Sequence, residues 1–162
     1  MMGAVLLFDF NNIRYVTSTH IGEWARDKMT RYSLLTRGGD PHIWDFGSAA
    51  KHHRLNCPWL PQDNIHAGMV GMRGAIAADA GLFRSAAREI KAILQAEGVA
   101  DMPIGMDIAE PPMLAALVHQ MLAIFFRCTH SRQFPLKLVQ HLRRAFDTES
   151  CRHFVSHLPI PT

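Results

Sequence analysis

Ala4-Val-Leu-Leu-Phe-Asp-Phe-Asn-Asn-Ile-Arg-Tyr-Val-Thr-Ser18 is the stretch on which the fold turns. Ala4 to Phe8 is a short continuous apolar run, the pattern of a parallel strand covered on both faces. Asp9, Asn11 and Asn12 bound it. Asparagine tolerates turn geometry and bonds its own backbone, so the chain is expected to leave the sheet in an Asn-Ile-x-Tyr turn.

Downstream, residues 19–30 read as polar and irregular, and Arg31 to Arg37 alternates well enough for a second strand. Gly38-Gly39-Asp40-Pro41 supplies a tight turn and His42 to Phe46 a returning strand, so 31–46 is expected to be a hairpin with a three- or four-residue loop. Ser48 is a candidate cap for a short helix through Asn56, which Pro58 and Pro61 end. Asn64 to Ala67 is a further strand, and the glycine-rich segment from Gly68 to Gly74 a loop. Residues 75–97 carry the clearest helical period: Leu82, Ala86, Ile90, Ile93, Leu94 and Glu97 recur at three and four, with Asp79 as candidate cap and Gly98 as the stop. Asp101 to Asp107 gives a short strand, and Pro111-Pro112 opens a helix through Leu122. This alternation implies an α/β fold, a mixed β-sheet flanked by helices, followed by a weakly structured C-terminal tail.

The 162 residues, 48% apolar and 19% charged, suffice for one core of ordinary domain size, or for one domain and a poorly committed tail. The apolar run from Met113 to Phe126 is interrupted by His119 and Gln120, so no run reaches the roughly 18–20 residues that cross a bilayer. Met1-Met2-Gly3 enters the strand with no basic n-region or cleavage pattern, and a cytoplasmic location is expected. Cys57, Cys128 and Cys151 are odd in number and lack any Cys-x-x-Cys pairing, which argues for reduced thiols. The net charge of +3 divides unevenly: residues 1–112 carry 11 Lys+Arg against 12 Asp+Glu, and residues 113–162 carry 6 against 2. The basic charges of the second part are scattered among Phe, His, Leu and Pro, with Arg143-Arg144 the only adjacent pair. That patterning argues against nucleic acid as partner.

Two segments support a family resemblance: Phe8-Asp-Phe-Asn-Asn-Ile-Arg-Tyr-Val-Thr-Ser-Thr-His-Ile-Gly-Glu-Trp-Ala-Arg-Asp-Lys28, and Trp44-Asp-Phe-Gly-Ser-Ala-Ala-Lys-His-His-Arg54. With the hairpin, the long helix ending in Glu97-Gly98 and the Pro-Ile-Gly-Met-Asp strand, residues 4–112 resemble the N-terminal domain of the creatinase, prolidase and aminopeptidase P superfamily. They look most like its dimethylsulfoniopropionate lyase branch. The resemblance implies a non-catalytic domain that helps a homodimer form and precedes a larger pita-bread domain holding divalent metal, such as iron, through Asp, Asp, His, Glu and Glu. The helix that normally precedes the opening strand in such domains has no counterpart here. From Met113 onward no family likeness is seen, and Asp147 and Glu149 are its only carboxylates, too few for a dinuclear centre. Residues 113–162 are therefore expected to be a tail from a shifted frame or a fusion, and the chain alone to be inactive, with no catalytic residue, metal ligand or cofactor of its own.

The resemblance also implies two substrate-binding residues that reach into the partner subunit's active site, by carry-over Trp24 and Arg26. A guanidinium holds a carboxylate through paired charge-assisted bonds, and an indole face contacts a cation, so the pair suits a small zwitterion such as dimethylsulfoniopropionate. The structural alternative is that Trp24 packs under a loop while Arg26 pairs with Asp27 or Glu23. His52-His53 and His66 invite a metal reading, but adjacent helical positions point about 100° apart and no carboxylate lies four residues away. Gly68, Gly71 and Gly74, with Arg73, could cradle a phosphate before a helix, without the Lys-Ser/Thr of a phosphate loop. Three functions are thus expected in turn: part of a lyase-like metalloenzyme, part of an Xaa-Pro aminopeptidase or creatinase-type hydrolase, or a small anion-binding module.

Overall fold

The computed structural model describes residues 2–22, 26, 29–72, 75–108 and 110–120. The opening run forms β1 (Ala4–Leu7), and the Asp9 that follows caps helix α1 (Phe10–Thr17). Its carboxylate accepts from the N–H groups of Asn11 and Asn12 at 2.9 and 3.1 Å. The expected asparagine turn is therefore a helix. Two cap bonds and burial of Phe10, Ile13 and Thr17 on one face outweigh the turn preference of Asn11 and Asn12, which stand exposed.

The remaining elements are β2 (Tyr32–Thr36), β3 (His42–Asp45), α2 (Gly47–Asn56), β4 (Ile65–Ala67), α3 (Leu82–Ala96), β5 (Ile104–Met106) and α4 (Pro111–His119). The sheet has the order β4-β3-β2-β1-β5. β1 pairs β5 in parallel and β3 pairs β4 in parallel, while β2 runs antiparallel to both of its neighbours. The mixed α/β sheet read from the sequence is thus present. Four strands point the same way, so the ends of β1, β3, β4 and β5 and the start of β2 share one edge.

Side chains alternate across the sheet, and each face has its own helices. On one face Leu7, Ile43 and Ile65 pack with Ile13 of α1, Ala50 of α2, Cys57 and Leu60. Each fully buried isoleucine or leucine there contributes roughly 2 kcal/mol. On the other face lie Tyr32, Trp44 and His66, and Trp44 Nε1 donates to Glu89 of α3 at 2.9 Å. α3 turns Phe83, Ala86, Ala87, Ile90 and Leu94 inward and packs along α4.

Several boundaries differ from expectation for local reasons. The long helix starts at Leu82, because Gly81 takes φ +80° and breaks the path from the 3-10 turn Ala78–Ala80, where Asp79 sits without capping. Its end is as read, with Gly98 at φ +68°. Phe46, not Ser48, holds the cap position of α2 and makes no side-chain bond. The β2–β3 loop, residues 37–41, is one residue longer than expected. Of the 113–162 tail, α4 covers the stretch through His119 and Gln120 caps it; residues 121–162 lie outside the described residues. Among the described residues no helix is long and apolar enough to cross a membrane.

Candidate functional site

The carboxyl edge of the sheet collects the polar side chains, as open α/β sheets do where ligands bind. Asp9 and Asp107 follow β1 and β5, Asp45 ends β3, and Arg31 precedes β2. Asp107 fixes the corner of the edge. Its Oδ1 accepts from Phe8 N and Ile108 N at 2.8 and 2.7 Å, and its Oδ2 from Asp9 N and Asn12 Nδ2 at 3.0 Å each.

Asp45 anchors a second network in the sheet interior. Its Oδ2 lies 3.2 Å from Arg31 Nε and 3.0 Å from His53 Nε2, and its Oδ1 accepts from Phe46 N at 3.0 Å. The exposures are 0% for Asp45, 0% for His53 and 3% for Arg31. Burial lowers the pKa of Arg31, partly offset by the Asp45 carboxylate. Arg31 Nη2 donates to Thr19 Oγ1 at 3.2 Å, Thr19 Oγ1 meets Thr17 Oγ1 at 2.7 Å, and Thr17 Oγ1 donates to Ile13 O at 2.7 Å. One polar chain therefore ties α1, β2, β3 and α2 together.

On the far side of His53, Nδ1 lies 3.9 Å from Cys57 Sγ. The order thiol, imidazole, carboxylate is that of a nucleophilic relay, but its chemistry is not available here. Cys57 is 5% exposed, and burial pushes its thiol up, away from the thiolate that a nucleophile needs.

Of the two residues singled out by resemblance, Arg26 meets this edge at Phe10. Arg26 is exposed and places Cζ 5.8 Å from the Phe10 ring centroid; Arg31 Cζ lies 5.5 Å from the same ring, and His20 approaches it edge-on at 6.1 Å. Cation–π contact of this kind contributes about 0.5–1 kcal/mol at exposed sites. Trp24, Glu23 and Asp27 lie outside the described residues. Trp59, more than half exposed, donates from Nε1 to Thr17 O at 2.9 Å and so borders the same edge.

The other candidates separate. His52 is exposed beside Asn56, His53 is buried on Asp45, and His66 pairs with His42, which sequence reasoning took only as a strand residue. Among the described residues no three His, Cys, Asp or Glu side chains are grouped to hold a metal ion. The glycine loop is stitched to the sheet: Gly68 N donates to Asp45 O at 2.6 Å, and Gly71 O accepts from Thr30 N at 3.3 Å. A Cβ at Gly68 would stand 3.1 Å from Asp45 N, so a side chain there would press on the backbone of β3. The loop does not lead straight into a helix N-terminus either, since the Ala78–Ala80 turn intervenes before α3. Arg73 and Gly74 lie outside the described residues.

No family model matches this chain, and no curated protein matches it. Among solved structures it is similar to a dipeptidase from Pyrococcus horikoshii OT3, with 15% sequence identity and a TM-score of 0.46. The similarity covers 87% of this chain and 32% of the dipeptidase, so the chain spans about a third of that protein's length.

Proposed function

We propose that this chain is the non-catalytic N-terminal domain of a pita-bread metalloenzyme, a homodimerising unit whose Arg26 and Trp24 line a neighbouring subunit's active site. One observation carries the reading. Asp9, Asp45 and Asp107 stand where an α/β enzyme places catalytic acids, yet Asp45 and Asp107 have both oxygens engaged by backbone amides, an asparagine side chain or buried cations and Asp9 Oδ1 accepts from two backbone amides, while Arg26 is exposed beside Phe10 at the same edge. This reading assigns the contact with a substrate carboxylate to Arg26 and the metal chemistry to a separate domain.

The substrate class that fits is a small zwitterion with a carboxylate. For the lyase reading this is dimethylsulfoniopropionate, cleaved to dimethyl sulfide and acrylate in the intact enzyme; Arg26 takes the carboxylate and Trp24 faces the sulfonium. For the hydrolase reading the same arginine takes a carboxylate of an Xaa-Pro peptide. Divalent metal such as iron is the other domain's cofactor, and the cytoplasm is the proposed compartment.

Two experiments test this. The purified chain, supplied with iron, manganese or zinc, is expected to sediment as a homodimer and to turn over neither substrate; turnover, or a monomer throughout, overturns the proposal. In chimeras where residues 4–112 replace the N-terminal domain of a superfamily lyase or Xaa-Pro aminopeptidase, the activity restored tells the two readings apart. Arg26→Ala is expected to lower kcat/KM there by about 10–100-fold, the loss of a charge-assisted bond in an enclosed site.

A further inference from the structure

His42 on β3 and His66 on β4 meet on the α3 side of the sheet, at its free β4 edge. β4 runs parallel to β3 with His66 opposite Trp44, so His42 is its diagonal neighbour on the same face. His42 Nδ1 lies 3.1 Å from His66 Nε2, with the ring planes 13° apart and the centroids 5.4 Å apart. Two nearly parallel rings at that separation point their facing nitrogens at each other along one line, the geometry of an N–H···N hydrogen bond. The His66 ring also stacks on Trp44 at 4.5 Å, and Trp44 Nε1 is fixed on Glu89 of α3. The two histidines are held unequally. His42 is buried and its carbonyl accepts from Ser33 Oγ at 2.7 Å, whereas His66 is half-buried on an edge strand three residues long. His66 is therefore the arm that can turn out to water.

We propose that the pair is a proton-operated clasp on β4: it holds while it carries no more than one extra proton, and a second proton opens it and releases the His66 ring from Trp44. The count follows from imidazole chemistry. A neutral ring offers one N–H and one lone pair, so a neutral pair makes one bond, with the donor set by tautomer. With one proton added, an imidazolium donates to a neutral ring, and the bond becomes charge-assisted and stronger. With two added, both facing nitrogens carry N–H, neither accepts, and two like charges confront each other across 3.1 Å. No arrangement of protons then keeps the bond.

Charged groups reach the pair from every side. Glu97 at the end of α3 and Asp40 of the β2–β3 loop act on His42; Glu89 of α3, Arg54 of α2 and Asp63 of the 3-10 turn Gln62–Asn64 act on His66. The four carboxylates favour a charge on the pair, and the Trp44 face accepts it as a cation–π contact. Burial works the other way and lowers the pKa of both rings below the ordinary 6.5, and at His66 the charges of His42 and Arg54 lower it further. The fold thus binds these protons less tightly than the unfolded chain does. Stability from the closed clasp is complete above pH 6.5 and is lost as pH falls through the lowered values. The glycine loop follows β4, since Gly68 N donates to Asp45 O at 2.6 Å directly after the strand.

Nuclear magnetic resonance on the isotope-labelled full chain tests this, with each imidazole followed from about pH 8 to about pH 4. The wild-type pair is expected to titrate in two separate steps. Nitrogen–nitrogen coupling across the His42–His66 bond persists through the first step and vanishes in the second. There the Gly68 amide exchanges at least about tenfold faster, while the amides of β1 and β2 do not. In His42→Asn, His66 is expected to titrate in one step, at higher pH than the second step of the wild type. His52→Asn, at an exposed α2 position, leaves both steps in place. Independent single steps in the wild type, coupling retained with both rings charged, or unfolding of the whole chain in the second step overturns the proposal. Should His42→Asn fail to fold, the wild-type titration decides alone between these outcomes.

Discussion

Replacing Asp45 by Asn removes one charge from the sheet interior and changes almost no volume. Asp45 is fully buried and faces Arg31 at 3.2 Å and His53 at 3.0 Å; Arg31 is 3% exposed, with Nε and Nη1 lacking hydrogen-bond partners among the described residues. Once the carboxylate is neutral, the guanidinium remains buried opposite a dipole. Breaking one partner of a buried pair costs about 3–5 kcal/mol, because an uncompensated charge is left behind. A domain of this size has about 5–15 kcal/mol in total, so Asp45→Asn is expected to remove about a fifth or more. Urea unfolding followed by circular dichroism measures this, with a lower midpoint at an unchanged slope. The control is Asp45→Asn with Arg31→Met, which deletes the stranded cation and is expected to recover most of the loss. A single variant within about 1 kcal/mol of wild type, or a double variant as unstable as the sum of its parts, would refute the account of Asp45 as the counter-charge that keeps Arg31 inside.

Asp107→Ala deletes the acceptor for Phe8 N, Asp9 N, Ile108 N and Asn12 Nδ2, and is expected to cost about 3 kcal/mol, with faster hydrogen exchange at the Phe8 and Asp9 amides. Gly98→Ala meets no atom within 4 Å of its new Cβ, so its expected loss of about 1 kcal/mol in thermal unfolding comes from φ +68° alone. Because burial raises the Cys57 thiol above its ordinary value of 9.0, the folded state binds its proton more tightly than the unfolded chain. That stabilisation is complete below pH 9.0 and is lost as pH rises above it, so Cys57→Ala is expected to flatten the alkaline fall of the melting temperature relative to wild type.

Pattern sufficed wherever neighbours in sequence are neighbours in space. The alternation of Tyr32 to Thr36 and of His42 to Asp45, the period of Leu82 to Ala96 and the stop at Gly98 all reappear in the fold. Helix α1 was misread because Asn11 and Asn12 carry a turn preference, whereas Asp9 two residues earlier sets the outcome by capping. The polar networks were invisible for a different reason. Arg31, Asp45 and His53 are spread over 23 positions in the chain, and His42 meets His66 across a separation of 24, so only the strand order β4-β3-β2 brings them together. One signal was available: an aspartate closing an otherwise apolar strand must find a partner, and a histidine eight residues on in the next helix is placed to be one.

Under the proposed function Arg26 is expected to act only against a second surface. An exposed guanidinium gains about 0.2–1 kcal/mol from a carboxylate in water, too little to hold a small zwitterion. Enclosed by another subunit, the same contact rises to roughly 1.5–3 kcal/mol as water leaves and the local dielectric falls. The Phe10 ring lies 5.8 Å from Arg26 Cζ, and under the proposed function this contact would limit the freedom of the long side chain and lower the entropy lost on binding. The buried Asp45 network ties α1, β2, β3 and α2 together, and under the proposed function it would stiffen the platform that carries Arg26.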